Sequence, residues 1–136
     1  MFIRMLWVAS AILVLATALR AEDCPIPRGG DEIATALETA PSCEAALKLF
    51  QTCAHVSSID SMFGGIVTTR CEGDFLSKIN AMQRKSYDKT REACTRKYAK
   101  KEGTMYRSFE AFCHAKLARA YALKFGASPK DSATQK

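Results

Sequence analysis

Six cysteines, Cys24, Cys43, Cys53, Cys71, Cys94 and Cys113, are the residues here with the most constrained chemistry. An even count in a small chain from an oxidising compartment reads as three disulfides. No C-x-x-C occurs, so neither a thioredoxin-like redox pair nor a zinc ribbon has support. No C-x-x-C-H occurs, so covalent haem attachment has none either. A thiol nucleophile needs a free cysteine, which complete pairing removes. The two histidines, His55 and His114, fall in no H-x-x-x-H spacing, so zinc hydrolysis lacks its ligands. No G-x-S-x-G, Walker or dinucleotide glycine pattern appears. Asp60, Glu72, Asp74 and Asp88 read as solvated carboxylates. Glu72 and Asp74 are two residues apart and so do not share a helix face. With no convergent acid–base set, the sequence reads as a non-enzymatic protein without metal or cofactor.

Two other groups of residues have the chemistry of contact. Arg84, Lys85, Lys89, Arg91, Arg96, Lys97, Lys100 and Lys101 crowd one stretch. They read as a solvated face that complements an acidic half of the chain, with contact to an anionic polymer or lipid surface as the functional version. Nucleic acid is not expected. Tyr106 and Arg107 follow a Gly-Thr turn, and an exposed aromatic beside an arginine is typical of protein interfaces. They are the candidate partner-binding residues.

The elements that must position these residues fit one domain. The chain has 136 residues, 48% hydrophobic and 25% charged, with a net charge of +6. Met1–Ala21 reads as a secretory signal peptide, with Arg4 ahead of the uncharged run Leu6–Leu19. That run is shorter than the ~20 residues needed to span a bilayer. Cleavage fits after Ala21 or after Ala18. The location implied is periplasmic or secreted, in a Gram-negative bacterium. Residues 22–75 carry three Lys/Arg against nine Asp/Glu, and residues 76–136 carry fifteen against five.

Strand signals are weak and helical periodicity is strong, so the fold class is all-α: a small disulfide-stapled bundle of four to five helices. Residues 22–30 form an extended leader, 31–126 the helical domain and 127–136 a disordered polar tail. Asp31 caps a helix over Glu32–Thr39 and Ser42 caps one over Cys43–Ala54. A third helix covers Ile59–Lys78, with Gly64-Gly65 marking a kink or a close helix approach. Asn80 and Gln83 form a capping-box pattern opening Ala81–Lys101. Gly103 stops that helix, and Thr104 caps Met105–Phe125. The inward stripes include Met62/Phe63, Met82, Met105, Phe109, Ala120/Tyr121 and Leu123.

Helix geometry prunes the disulfide map. Cys43 and Cys53, ten residues apart on one helix, are separated by about 15 Å, too far to bond. Antiparallel helices juxtapose residues equidistant from their turn, which pairs Cys94 with Cys113 and Cys43 with Cys71. Cys24 then takes Cys53.

The segment Tyr87-Asp88-Lys89-Thr90-Arg91-Glu92-Ala93-Cys94, with Gly103-Thr104-Met105, Cys113 and Leu117, resembles the C-terminal part of the LprI-like lysozyme-inhibitor family. The likeness covers about Tyr87–Phe125. Ala118 and Tyr121 stand where the family usually has Thr and then Arg. The resemblance implies an exported, helical, Cys-bridged protein that inhibits lysozyme-type muramidases. In that reading an acidic surface of Glu38, Glu44, Asp60, Glu72 and Asp74 steers a basic lysozyme. The expected function is binding another macromolecule, with inhibition as its sharpest form. The alternatives are an envelope protein whose basic face contacts anionic polymer or lipid, and a small hydrolase with an unrecognised site.

Overall fold

A computed structural model describes residues 23–26 and 29–126. The signal-peptide and tail expectations lie outside these residues. The described chain is all-α: α1 (Gly30–Glu38), α2 (Cys43–Cys53), α3 (Ile59–Phe75), α4 (Ala81–Tyr98) and α5 (Thr104–Tyr121). A π-helical turn, Ala122–Gly126, extends α5. No helix among the described residues is long and apolar enough to cross a membrane.

Local chemistry sets most helix ends. Ser42 accepts a hydrogen bond from the Ala45 amide at 3.1 Å and starts α2. Asn80 and Gln83 form a full capping box at α4, each side chain bonded to the other's backbone amide, at 2.9 and 2.8 Å. Elsewhere the ends shift. Gly29, at φ +88, is the N-cap of α1, so Asp31 lies inside the first turn, where its charge still favours the helix dipole. Gly103, at φ +106, occupies the backbone region that favours glycine and caps α5 in place of Thr104. The third and fourth helices stop at Phe75 and Tyr98, short of Lys78 and Lys101. In both cases a single turn hydrogen bond, Lys78 to Phe75 or Lys101 to Tyr98, closes the end.

The core lies where α1, α2 and α5 pack on α3. Leu37, Phe50, Phe63, Val67, Phe75 and Tyr87 are fully buried in it. Phe50 stacks on Phe112 at 4.1 Å, and Phe75 meets Tyr87 edge-on at 5.1 Å. Helix α5 contributes small residues: Ser108, Ala111, Ala115 and Ala118 are its buried face. The reason is Gly64 on α3. A Cβ there would sit 2.6 Å from the Ala111 Cβ, so the two backbones approach closely only because neither residue is larger. On α5 this close approach corrects the expected inward stripe, while on α3 it is Phe63 of the Met62/Phe63 alternatives that is buried. Met62, Met105, Phe109, Leu123 and especially Met82, at 81% exposure, lie on the surface, as does Ala120. Alanines occupy the positions that large side chains were expected to fill.

The disulfides are Cys24–Cys53, Cys43–Cys71 and Cys94–Cys113. Cys43–Cys71 and Cys94–Cys113 are the pairs selected by equal distance from the connecting turns, and Cys24–Cys53 is the pair left over. One ties the leader to α2, one joins α2 to α3, and one joins α4 to α5. No described cysteine is free.

Asp60 corrects another expectation. It is a fully buried carboxylate, not a solvated one. Its oxygens accept from the His55 amide (3.1 Å), the Ser57 amide (3.3 Å) and the Ser108 hydroxyl (2.6 Å). A buried charge needs such a set of donors. The same bonds fix the α2–α3 loop, in which Val56 is held at φ +55. That conformation is strained for a β-branched side chain.

Candidate functional site

The α4–α5 hairpin carries the residues that the sequence marks for contact. Two devices lock its outer end. The Cys94–Cys113 bond holds the helices together, with Cα atoms 5.8 Å apart. Arg107 reaches back across the turn: its guanidinium donates to the carbonyls of Tyr98 (2.7 Å) and Lys101 (3.3 Å) and to Glu110 Oε2 (2.9 Å). The Tyr98 carbonyl ends α4 and accepts the Lys101 amide as well, and Lys101 lies just past the helix, so the guanidinium braces the helix end and its closing turn together. Arg107 is therefore half-buried and caps its neighbour, and the expected exposed Tyr106/Arg107 pair is revised. Tyr106 is also half-buried, with its ring edge-on to Phe109 at 6.2 Å.

Around that locked turn the surface is aromatic and basic. Phe109 is 41% exposed and Met105 42%. Phe109 lies between Tyr106 and Tyr98, the latter ring 6.3 Å away. Lys97 sits over the Tyr98 ring and Lys101 over the Tyr106 ring, each at 5.3 Å. A groove of about 550 Å³ runs on from Phe109 past Phe112 to Lys116. Neither Phe109 nor Met105 was expected here, because helical periodicity assigned both to the core.

The rest of the charge pattern resolves into pairs and unpaired lysines. Arg84, Arg91 and Arg96 bond Asp88, Glu72 and Glu92. Lys85, Lys89 and Lys100 have no carboxylate partner among the described residues. Among the described residues, the ion pairs Arg91–Glu72 and Arg119–Glu44 cross between the acidic and basic halves. Complementation of the two halves therefore accounts for little of the basic face. The expected acidic surface is dispersed. Asp60 is buried, Glu72 is paired with Arg91 and Asp74 with Arg70, which leaves Glu38 and the Arg119-paired Glu44 as the exposed members.

A second feature is a cleft of about 390 Å³ between α3, α4 and α5. Gly64, Gly65, Thr68 and Ala111 line it with small groups, and Glu72, Arg91, Arg107 and Glu110 bring charge beside the His114 imidazole. Glu72 Oε1 accepts from the Tyr87 hydroxyl (2.8 Å) and Arg91 (3.0 Å). Burial raises the Tyr87 phenol far above its ordinary range, and the Glu72 bond adds to the shift. His114 lies 3.2 Å from the Thr95 hydroxyl and 4.0 Å from Glu110. Burial lowers its pKa below 6.5, reinforced by Arg91. Both carboxylates of the cleft are thus engaged by guanidinium groups. The spacing of Arg107, Glu110 and His114, three and four residues apart, places them on one helix face and was legible in advance. Arg91 and Glu72 join them only through the tertiary fold. No protein-family model, curated protein or solved structure matches this chain.

Proposed function

We propose that this chain is an exported, non-enzymatic binding protein that engages a macromolecule through the end of its α4–α5 hairpin. The observation that carries this reading is the exposed Met105–Phe109 pair beside Tyr98 and Tyr106, on a turn braced by Arg107 and the Cys94–Cys113 bond. Rigid, exposed aromatic groups lose little entropy on docking and anchor interfaces. Three disulfides suit an oxidising compartment outside the cytoplasm, and the signal-peptide reading of Met1–Ala21 points to the periplasm. In the polar cleft, guanidinium groups hold both carboxylates, which favours a structural role over acid–base chemistry there.

The sharpest form of the proposal is inhibition of lysozyme-type muramidases, supported by the family resemblance of the same hairpin. Because the acidic side chains are dispersed or paired, inhibition would rest on insertion of the hairpin end and not on acidic steering. The test is titration of the oxidised protein into a lysozyme assay, with a reduced sample beside it. Stoichiometric inhibition that disappears on reduction and in Met105→Glu/Phe109→Glu is expected. Full muramidase activity at many-fold excess, across several lysozyme types, would remove this form.

The unpaired lysines favour a second reading, contact with an anionic envelope surface. They leave the α4 side of the hairpin with more positive than negative charge, beyond what Asp88 and Glu92 offset.

A further inference from the structure

We infer that the hairpin end is a docking surface for an anionic phospholipid bilayer. The inference rests on the reading of the α4–α5 hairpin as the working part, and it names the partner. Three features converge on one face. The apolar groups Met105 and Phe109, four residues apart on α5 and so on one helix face, are both exposed. The half-buried rings of Tyr98 and Tyr106 flank Phe109, giving amphipathic bodies suited to the headgroup level of a membrane. Lys97 and Lys101 hold their ammonium groups over those rings, and both residues are exposed, so phosphates can reach them.

Charge complementarity decides between a lipid surface and an acidic protein or glycan. Glu110 is turned into its pair with Arg107, and Glu102 in the turn is the acidic neighbour that stays exposed. The lysines therefore dominate the field here. A polyanion would use the lysines alone and leave Met105 and Phe109 wet. A bilayer takes both, with the apolar side chains at the acyl boundary and the lysines among the headgroups. The rigid turn supports this mode, since the apolar residues are already presented before contact.

The experiment is co-sedimentation of the oxidised full-length mature chain with vesicles of phosphatidylcholine alone or mixed with phosphatidylglycerol, at low and high salt. Soluble polyglutamate is used as a competitor. Binding to the mixed vesicles only, weakened by salt, is expected. Lys97→Gln/Lys101→Gln should lower partitioning about 25-fold, about fivefold per lysine. Met105→Glu/Phe109→Glu should abolish it while leaving the circular dichroism and disulfide content unchanged. Phe109→Leu, which keeps an apolar group, should retain most of it. Three results would overturn the inference: no binding to anionic vesicles, binding indifferent to the Met105/Phe109 change, or polyglutamate competing at equal charge concentration. If vesicles fail while the same variants abolish muramidase inhibition, the hairpin reading survives and only the lipid partner is lost. If neither assay responds to the hairpin variants, both fall.

Discussion

Asp60 shows how one residue can be legible in type and misread in role. Its carboxylate lies among the His55 and Ser57 amides and the Ser108 hydroxyl, joining the α2–α3 loop to α5. Removing it leaves three donors without an acceptor, so Asp60→Ala should cost roughly 3 kcal/mol in urea unfolding. A cost near zero would mean that the loop is held by other contacts. Val56, in the same loop, sits at φ +55, where asparagine is tolerated better than valine. Val56→Asn should therefore raise stability by about 1 kcal/mol. His114 supplies the pH-dependent case. Its folded-state pKa lies below 6.5, so the unfolded chain takes the proton more readily. The stabilisation from neutral His114 is complete above the ordinary histidine value and is lost as the pH falls below it. Unfolding measured from about pH 7 to 5 should show a loss of stability that His114→Gln flattens. An unchanged slope in that variant would assign the loss to other groups.

At the scale of the element, the adjacent glycines of α3 separate packing from propensity. Gly64 faces Ala111, and a Cβ there would meet it at 2.6 Å, whereas a Cβ at Gly65 would meet nothing within 4 Å. Gly64→Ala should thus destabilise by about 1–3 kcal/mol through overpacking. Gly65→Ala should stabilise by up to about 1 kcal/mol through helix propensity. Thermal unfolding of the two variants should move in opposite directions. The sequence carried the all-helical class, the Ser42 and Asn80/Gln83 caps and the two cysteine pairs set by distance from a turn, because each depends on local spacing. It did not carry the buried face of α5. Hydrophobic periodicity weights large side chains, and here the close approach of α3 selects Ser108, Ala111, Ala115 and Ala118 instead. Phe109 and Met105 were assigned inward for the same reason. The residues that now mark the hairpin end were thus hidden among the expected core. The cleft was half legible: Arg107, Glu110 and His114 share an α5 face by spacing, but the approach of Arg91 to Glu72 belongs to the tertiary structure.

Over the whole molecule, three short covalent links hold a core whose α4 buries little beyond Tyr87 and Cys94. The hairpin therefore depends on the Cys94–Cys113 bond more than the rest of the bundle does. A disulfide is worth about 2–4 kcal/mol, so Cys94→Ala/Cys113→Ala should lower stability by that order. It should also raise amide exchange in α4 more than in α2 or α3. Uniform exchange across the five helices would contradict this view of a covalently held hairpin. Binding and stability meet in this element, since the groups proposed to touch a partner are presented by the bond and by the Arg107 brace. The most direct test is an amide shift map of the oxidised, isotope-labelled protein titrated with lysozyme and with phosphatidylglycerol vesicles. Shifts and broadening concentrated between residues 97 and 109, with either partner, are the predicted result. Changes centred on α1 or on the Glu72–His114 cleft, or no change with either partner, would contradict the assignment of the hairpin end as the binding surface.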